Sequence, residues 1–143
     1  MINQISVFLE NRAGQLSEII SILAEGGVDL RAINIAEAND YGVVRMIADD
    51  ARKAARLLSE RDMIVNVTPV VAVQVPDRPG ALDAVLRTIT DAGVDIGYMY
   101  ASFGKTDGAA CMIFRVDAPE KLAEVLTAAG FFPAPPEALG IRS

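Results

Sequence analysis

The sequence predicts an α+β protein built from two copies of one βαββαβ unit, and three observations predict it. "ENRAGQL" at residues 10 to 16 and "PDRPGAL" at residues 76 to 82 set Asn11 against Asp77, Arg12 against Arg78, Gly14 against Gly80 and Leu16 against Leu82, always 66 residues apart. The same spacing pairs Gly27-Val28-Asp29 with Gly93-Val94-Asp95, Gly42 with Gly108 and Met46-Ile47 with Met112-Ile113, before slipping to 67 at Asp50-Ala51 and Asp117-Ala118. Within each copy the hydrophobic period then changes from strand-like to helix-like and back in one fixed order.

The first strand of each copy alternates: Ile5, Val7 and Leu9 between polar Gln4 and Ser6, and Val71, Val73 and Val75 around Ala72 and Gln74. One face of each is therefore expected to be buried. Leu16, Ile19, Ile20 and Leu23, matched by Leu82, Val85, Leu86 and Ile89, have the spacing of an amphipathic helix. Gly26 and Gly93 supply its stop, since glycine takes the left-handed conformation without strain. A second strand is expected at residues 29–37 and 95–103, a glycine-containing turn at residues 39–42 and 105–108, and a third strand at residues 43–48 and 109–116. The second helix carries Ala54, Leu57 and Leu58 in one copy and Leu122, Val125 and Leu126 in the other, with Asp50 and Asp117 as its N-caps. Copy one closes with a strand at residues 64–68. Copy two is expected to close near residues 131–134, where Pro133, Pro135 and Pro136 allow at most a short edge strand.

This order is that of a ferredoxin-like fold, an antiparallel sheet with both helices on one face. Two such units, residues 1–69 and 70–143, are expected to join at Pro69. With 143 residues, 52% of them hydrophobic, each unit sits near the lower size at which a domain folds alone. A net charge of -6 opposes an electrostatic nucleic-acid binder, and no basic cluster suggests a membrane surface. The apolar runs are far shorter than the roughly 20 residues a spanning helix needs. No signal peptide is read at the start, and the single cysteine makes a reducing cytoplasm the default expectation.

The repeated turn is the place for chemistry. At the start of a helix the backbone N–H groups lack intrahelical partners and the helix dipole favours an anion. Gly14 and Gly80 have no Cβ to keep a ligand from the backbone, and Pro79 has no N–H to leave unsatisfied. A carboxylate could be held there by main-chain donors. Asn11 and Asp77 sit where a side chain either caps the helix or bonds a ligand amine, and the turn alone does not choose between the two.

The pattern Asn/Asp-Arg-x-Gly-x-Leu, amphipathic helix, Gly-Val-Asp, strand, inside a βαββαβ unit, resembles the ACT domain, a regulatory module that binds small amino acids. The resemblance runs through residues 1–69 and 70 to about 132, and the second copy, with "DRPGAL", is the closer. Copy one departs at Asn11 and Ala13. The resemblance implies an amino acid lodged where two ACT units meet, touching Asn11, Ala13, Gly14, Gln15 and Leu16 or Asp77, Pro79, Gly80, Ala81 and Leu82. It also implies pairing of units through their second strands, with Ile33, Asn34, Met99 and Tyr100 as the far wall. It implies no catalytic residue, no metal and no cofactor. The function expected is a non-catalytic sensor, a homodimer that regulates a partner enzyme in trans, and the competing expectation is a ligand-independent interaction module or regulatory subunit.

Other features are weaker. In "GYMYASF" at residues 97 to 103, Tyr98 and Tyr100 share the face opposite Met99, Ala101 and Phe103, which fits ordinary sheet packing or a pocket or subunit surface. Cys111 reads as a buried, inert thiol. With no histidine, imidazole metal sites and Ser-His or Cys-His dyads are excluded, and no phosphate-binding GxxxxGK[ST] loop is present. The RNA-recognition fold shares the element order but needs aromatics on its central strands, and Phe114 falls on the expected core side. An acylphosphatase-like enzyme would need a basic, glycine-rich phosphate loop, which the chain lacks.

Overall fold

A computed structural model of the chain describes residues 1–10, 12–37, 40–103 and 109–142. In order the elements are β1 (Ile2–Glu10), α1 (Gln15–Glu25), β2 (Leu30–Glu37), β3 (Tyr41–Ala48), α2 (Ala51–Ser59), β4 (Val65–Pro76), α3 (Ala81–Asp91), β5 (Ile96–Ala101), β6 (Ala109–Val116), α4 (Pro119–Ala128) and a short 3₁₀ turn, Pro136–Leu139. The expected turn positions Asn39 and residues 105–108 lie outside the described residues. No helix among the described residues is long and apolar enough to cross a membrane.

The chain forms two compact units. The first is Asn3–Thr68 together with residues 140–142, and the second is Met1–Ile2 with Pro69–Leu139. In the first unit the strand order is β2-β3-β1-β4, and β1–β3 and β2–β3 are antiparallel. Ile5, Val7 and Leu9 of β1 meet Val44 and Met46 of β3, Ile19, Ile22 and Leu23 of α1, and Ala54 and Leu58 of α2 in one core. The alternation in β1 and the helical stripe in α1 thus bury the same layer. On the opposite side of the sheet Gln4, Ala32 and Ile47 are also fully buried, so Gln4 is not the solvent-facing residue its polarity suggests. Its side-chain amide donates to Ser6 Oγ at 3.1 Å, which limits the cost of taking a polar group out of water. Alternation reports which residues share a face. It does not report whether that face is wet.

In the second unit the order is β4-β6-β5, antiparallel throughout. Val71, Val73 and Val75 pack with Phe114 and Val116 of β6, Val85 and Ile89 of α3, and Leu122 and Leu126 of α4. Phe114 lies on the core side as expected. The closing strand is reduced to one bridge, Val73 to Pro133, and one bond from Ala134 N–H to the Ala72 carbonyl at 2.7 Å, because proline cannot donate to a ladder.

The compact units part between Thr68 and Pro69, and β4 runs through that point for 12 residues. Pro69 lies just before the stretch from Val71 that pairs with β6. Several boundaries differ from expectation. The left-handed glycine after α1 is Gly27, at φ 73°, matching Gly93 at φ 72°. Gly26 instead lets Leu57 pack against the helix end, where a Cβ would collide with it. Asp50 caps α2, accepting from Lys53 N–H at 3.1 Å. Asp117 does not cap α4: the cap position is Ala118, with Pro119 opening the helix. Leu82 is 37% exposed, because α3 buries Ala81, Val85 and Ile89 instead.

Candidate functional site

The two turns have one geometry. Arg12 N–H donates to the Glu10 carbonyl at 2.8 Å, and Arg78 N–H donates to the Pro76 carbonyl at 2.9 Å. The chain then enters each helix through a glycine in the left-handed region, Gly14 at φ 84° and Gly80 at φ 87°. Any L-residue there would bear about 1–2 kcal/mol of strain. A Cβ added to either glycine would have nothing within 4 Å among the described residues, so the space beside both glycines is open there. The helical ladders begin at Glu18 N–H to Gly14 O and Ala84 N–H to Gly80 O, both 3.0 Å. Earlier N–H groups, among them those of Leu82 and Asp83, therefore precede the ladder at the positive end of the dipole.

The side chains distinguish the copies. Asn11 lies outside the described residues. Asp77 is exposed and, among the described residues, neither caps α3 nor forms an ion pair. Arg12 is held by Glu18 at 3.1 Å and Glu10 at 3.7 Å. At the positions matching those two carboxylates the second copy has Pro76 and Ala84, and Arg78 has no partner among the described residues. The first turn thus neutralises its own arginine, while the second leaves a cation beside an uncapped helix start. Ala13 is exposed, Leu16 is half-buried, Pro79 is exposed and Ala81 is buried. Gln15 is 7% exposed, and its side-chain carbonyl oxygen, fully buried, has no hydrogen-bond partner among the described residues.

The far-wall residues stand apart from the turns. Ile33 and Met99 pack toward the two cores from β2 and β5, the outer strands of their units. β3 separates β2 from β1, and β6 separates β5 from β4. Asn34 accepts from Arg45 Nη1 at 3.4 Å. Tyr100 is 7% exposed and stacks on Tyr98 with ring centroids 6.4 Å apart. Phe103, on the other face, is 50% exposed and so does not join the core. Half-buried Cys111 has its thiol pushed up by desolvation, partly opposed by a hydrogen bond with Ser102, which suits an unreactive thiol. The sequence reading missed the Glu10 and Glu18 clamp and the burial of Gln15. The clamp was legible in the aligned copies, as two acids in one and none in the other.

The fold and the duplicated turn define the class, a tandem of ferredoxin-like modules with one shared helix-opening turn. A family model described as an ACT domain pair matches residues 1–131, and the chain belongs to that family. Among solved structures, a protein from Bacteroides thetaiotaomicron is 35% identical, with 97% of this chain and 95% of that one covered and a TM-score of 0.89. The ligand-free regulatory subunit of aspartate kinase from Thermus thermophilus is 15% identical over 89% of this chain and 91% of that one, at a TM-score of 0.65. The corresponding subunit from Thermus flavus is 14% identical over 90% and 92%, at 0.60. These two share the fold. A search of the curated proteins finds no match.

Proposed function

We propose that this is a non-catalytic regulatory protein that binds an amino acid through the turns ahead of α1 and α3 and signals to a partner enzyme or regulator. One observation carries the reading: the same glycine-opened helix start, with open space beside its glycine among the described residues, is built twice. Main-chain N–H groups there suit a ligand carboxylate, and Asp77 suits its ammonium group. The unpartnered Arg78 favours the second turn for the first ligand bound. In a homodimer, copies would pair through β2 or β5, the outer strands that carry Ile33, Asn34, Met99 and Tyr100.

A thermal-shift series with the common amino acids tests this. A ligand at 100 times its Kd is expected to add about 2.7 kcal/mol of stability. Arg78→Ala, an exposed change, is expected to fold normally and lose most of that shift, and Gly80→Val to abolish it. Flat melting curves throughout at millimolar ligand would sink the proposal. The other reading, ligand-independent docking, draws on the exposed stack of Phe8 on Tyr41, 39% and 43% exposed with centroids 4.8 Å apart. Capture of one specific partner at an affinity no amino acid alters would favour it.

A further inference from the structure

Residues 140–142 lie beyond the family match and beyond the repeat, yet they belong to the first compact unit. They meet it at an irregularity in its sheet. The β2–β3 pairing shifts register between Leu30 and Ala32, so Arg31 is an extra residue in a ladder that resumes with Leu30 opposite Ala48. Beyond that pair Asp29 and Asp49 hold the two chains together: Asp49 N–H donates to the Asp29 carbonyl at 2.8 Å, and Asp29 N–H donates to Asp49 Oδ1 at 3.0 Å. Arg31 turns back to Asp29 Oδ2 at 2.9 Å.

The segment seats on this junction by three contacts. Arg142 N–H donates to the Asp49 carbonyl at 2.7 Å, and Arg142 Nε reaches Asp49 Oδ2 at 3.1 Å. Gly140 lies against Arg31 in the left-handed conformation at φ 74°, where a Cβ would come within 3.1 Å of Arg31 Nε. Asp49 ends with both oxygens engaged and its side chain only 6% exposed.

The second unit supplies an internal control. Its β5–β6 pairing shifts register in the same place, between Ile96 and Tyr98, with Gly97 at the shift. Aligned on the helix caps, Asp50 and Ala118, the residue equivalent to Asp49 is Asp117. No described segment seats there, and the Asp117 side chain is 98% exposed, with only a 3.8 Å approach from Arg115. The same fold position is an open carboxylate in one unit and a buried, doubly bonded one in the other. One of those two bonds comes from the seated segment, through Arg142, and the other from Asp29 N–H.

We infer that residues 140–142 are a clasp, received by a docking site made of Asp29, Arg31 and Asp49, that closes the β2–β3 junction of the first unit. The clasp is stabilised by a charge-assisted pair whose arginine is largely in water, so it is a reversible closure rather than part of the hydrophobic core.

Amide hydrogen exchange on the full chain tests it. Arg142→Ala is expected to speed exchange at the Asp29 and Asp49 amides about tenfold, roughly the effect of losing one charge-assisted bond with an exposed donor. The Val85 and Leu126 amides of the second unit are expected to be unchanged. Gly140→Val leaves both charges in place but displaces the segment sterically, and is expected to give the same acceleration. Unchanged exchange in Arg142→Ala overturns the clasp. So does acceleration confined to Arg142→Ala, because it would mean that the charge acts without a seated segment.

Discussion

Gln15 shows what one residue contributes to this site. Its buried carbonyl oxygen has no partner among the described residues, and an orphaned polar group of this kind costs about 1–3 kcal/mol. Replacing it with an apolar side chain of similar shape removes the orphan. Gln15→Met is therefore expected to raise the urea midpoint of the ligand-free protein, by an amount corresponding to about 1 kcal/mol. An unchanged or lowered midpoint would show that the oxygen is satisfied in solution. The residue's burial was not legible in the sequence, because the helical stripe is counted from Leu16 and leaves Gln15 unassigned. The glycines were legible, since the backbone dictates them: only a residue without a Cβ enters the left-handed region of these turns at no cost. Arg12 and Arg78 look equivalent as single letters and differ only through acids two residues before and six residues after one of them.

At the scale of elements, periodicity recovered the order, the faces and most boundaries, and failed where a local rule had two outcomes. Asp50 and Asp117 carry the same N-cap signal, but Pro119 moves the start of α4 one residue on. The pair gives a test. Asp50→Ala is expected to cost about 1 kcal/mol through its lost cap, whereas Asp117→Ala is expected to change stability by less than about half of that. Equal losses in chemical denaturation would mean that both aspartates act as caps in solution. Pro69 was read as the junction of the two copies, and the compact units part between Thr68 and Pro69. It stands inside β4, which has β1 on one side and β6 on the other, and strand neighbours leave no periodic trace in a sequence. The contribution of α3 shifted from Leu82 to Ala81, since a stripe's phase is fixed by what it packs against.

At the scale of the whole molecule, the chain passes between its compact units three times, after Ile2, after Thr68 and after Leu139. Residues 1–69 and 70–143 expressed as separate chains would each lack a short end segment that the matching unit includes. Each is expected to melt at a lower temperature than the full chain, and mixing them is expected to recover part of the loss, read by circular dichroism. Halves that melt as the full chain does would show that the exchanged ends contribute nothing. The exchange also separates two meanings of a repeat. The copy visible in the letters, about 66 residues long, is the unit in which this protein varies, so a change such as Asn11 for Asp77 can be made in one copy alone. The compact body closed by residues from the far end of the chain is the unit in which it holds together. Evolution can edit the first kind of unit one copy at a time, but any change that shortens or lengthens the chain near Leu139 is felt by the other half.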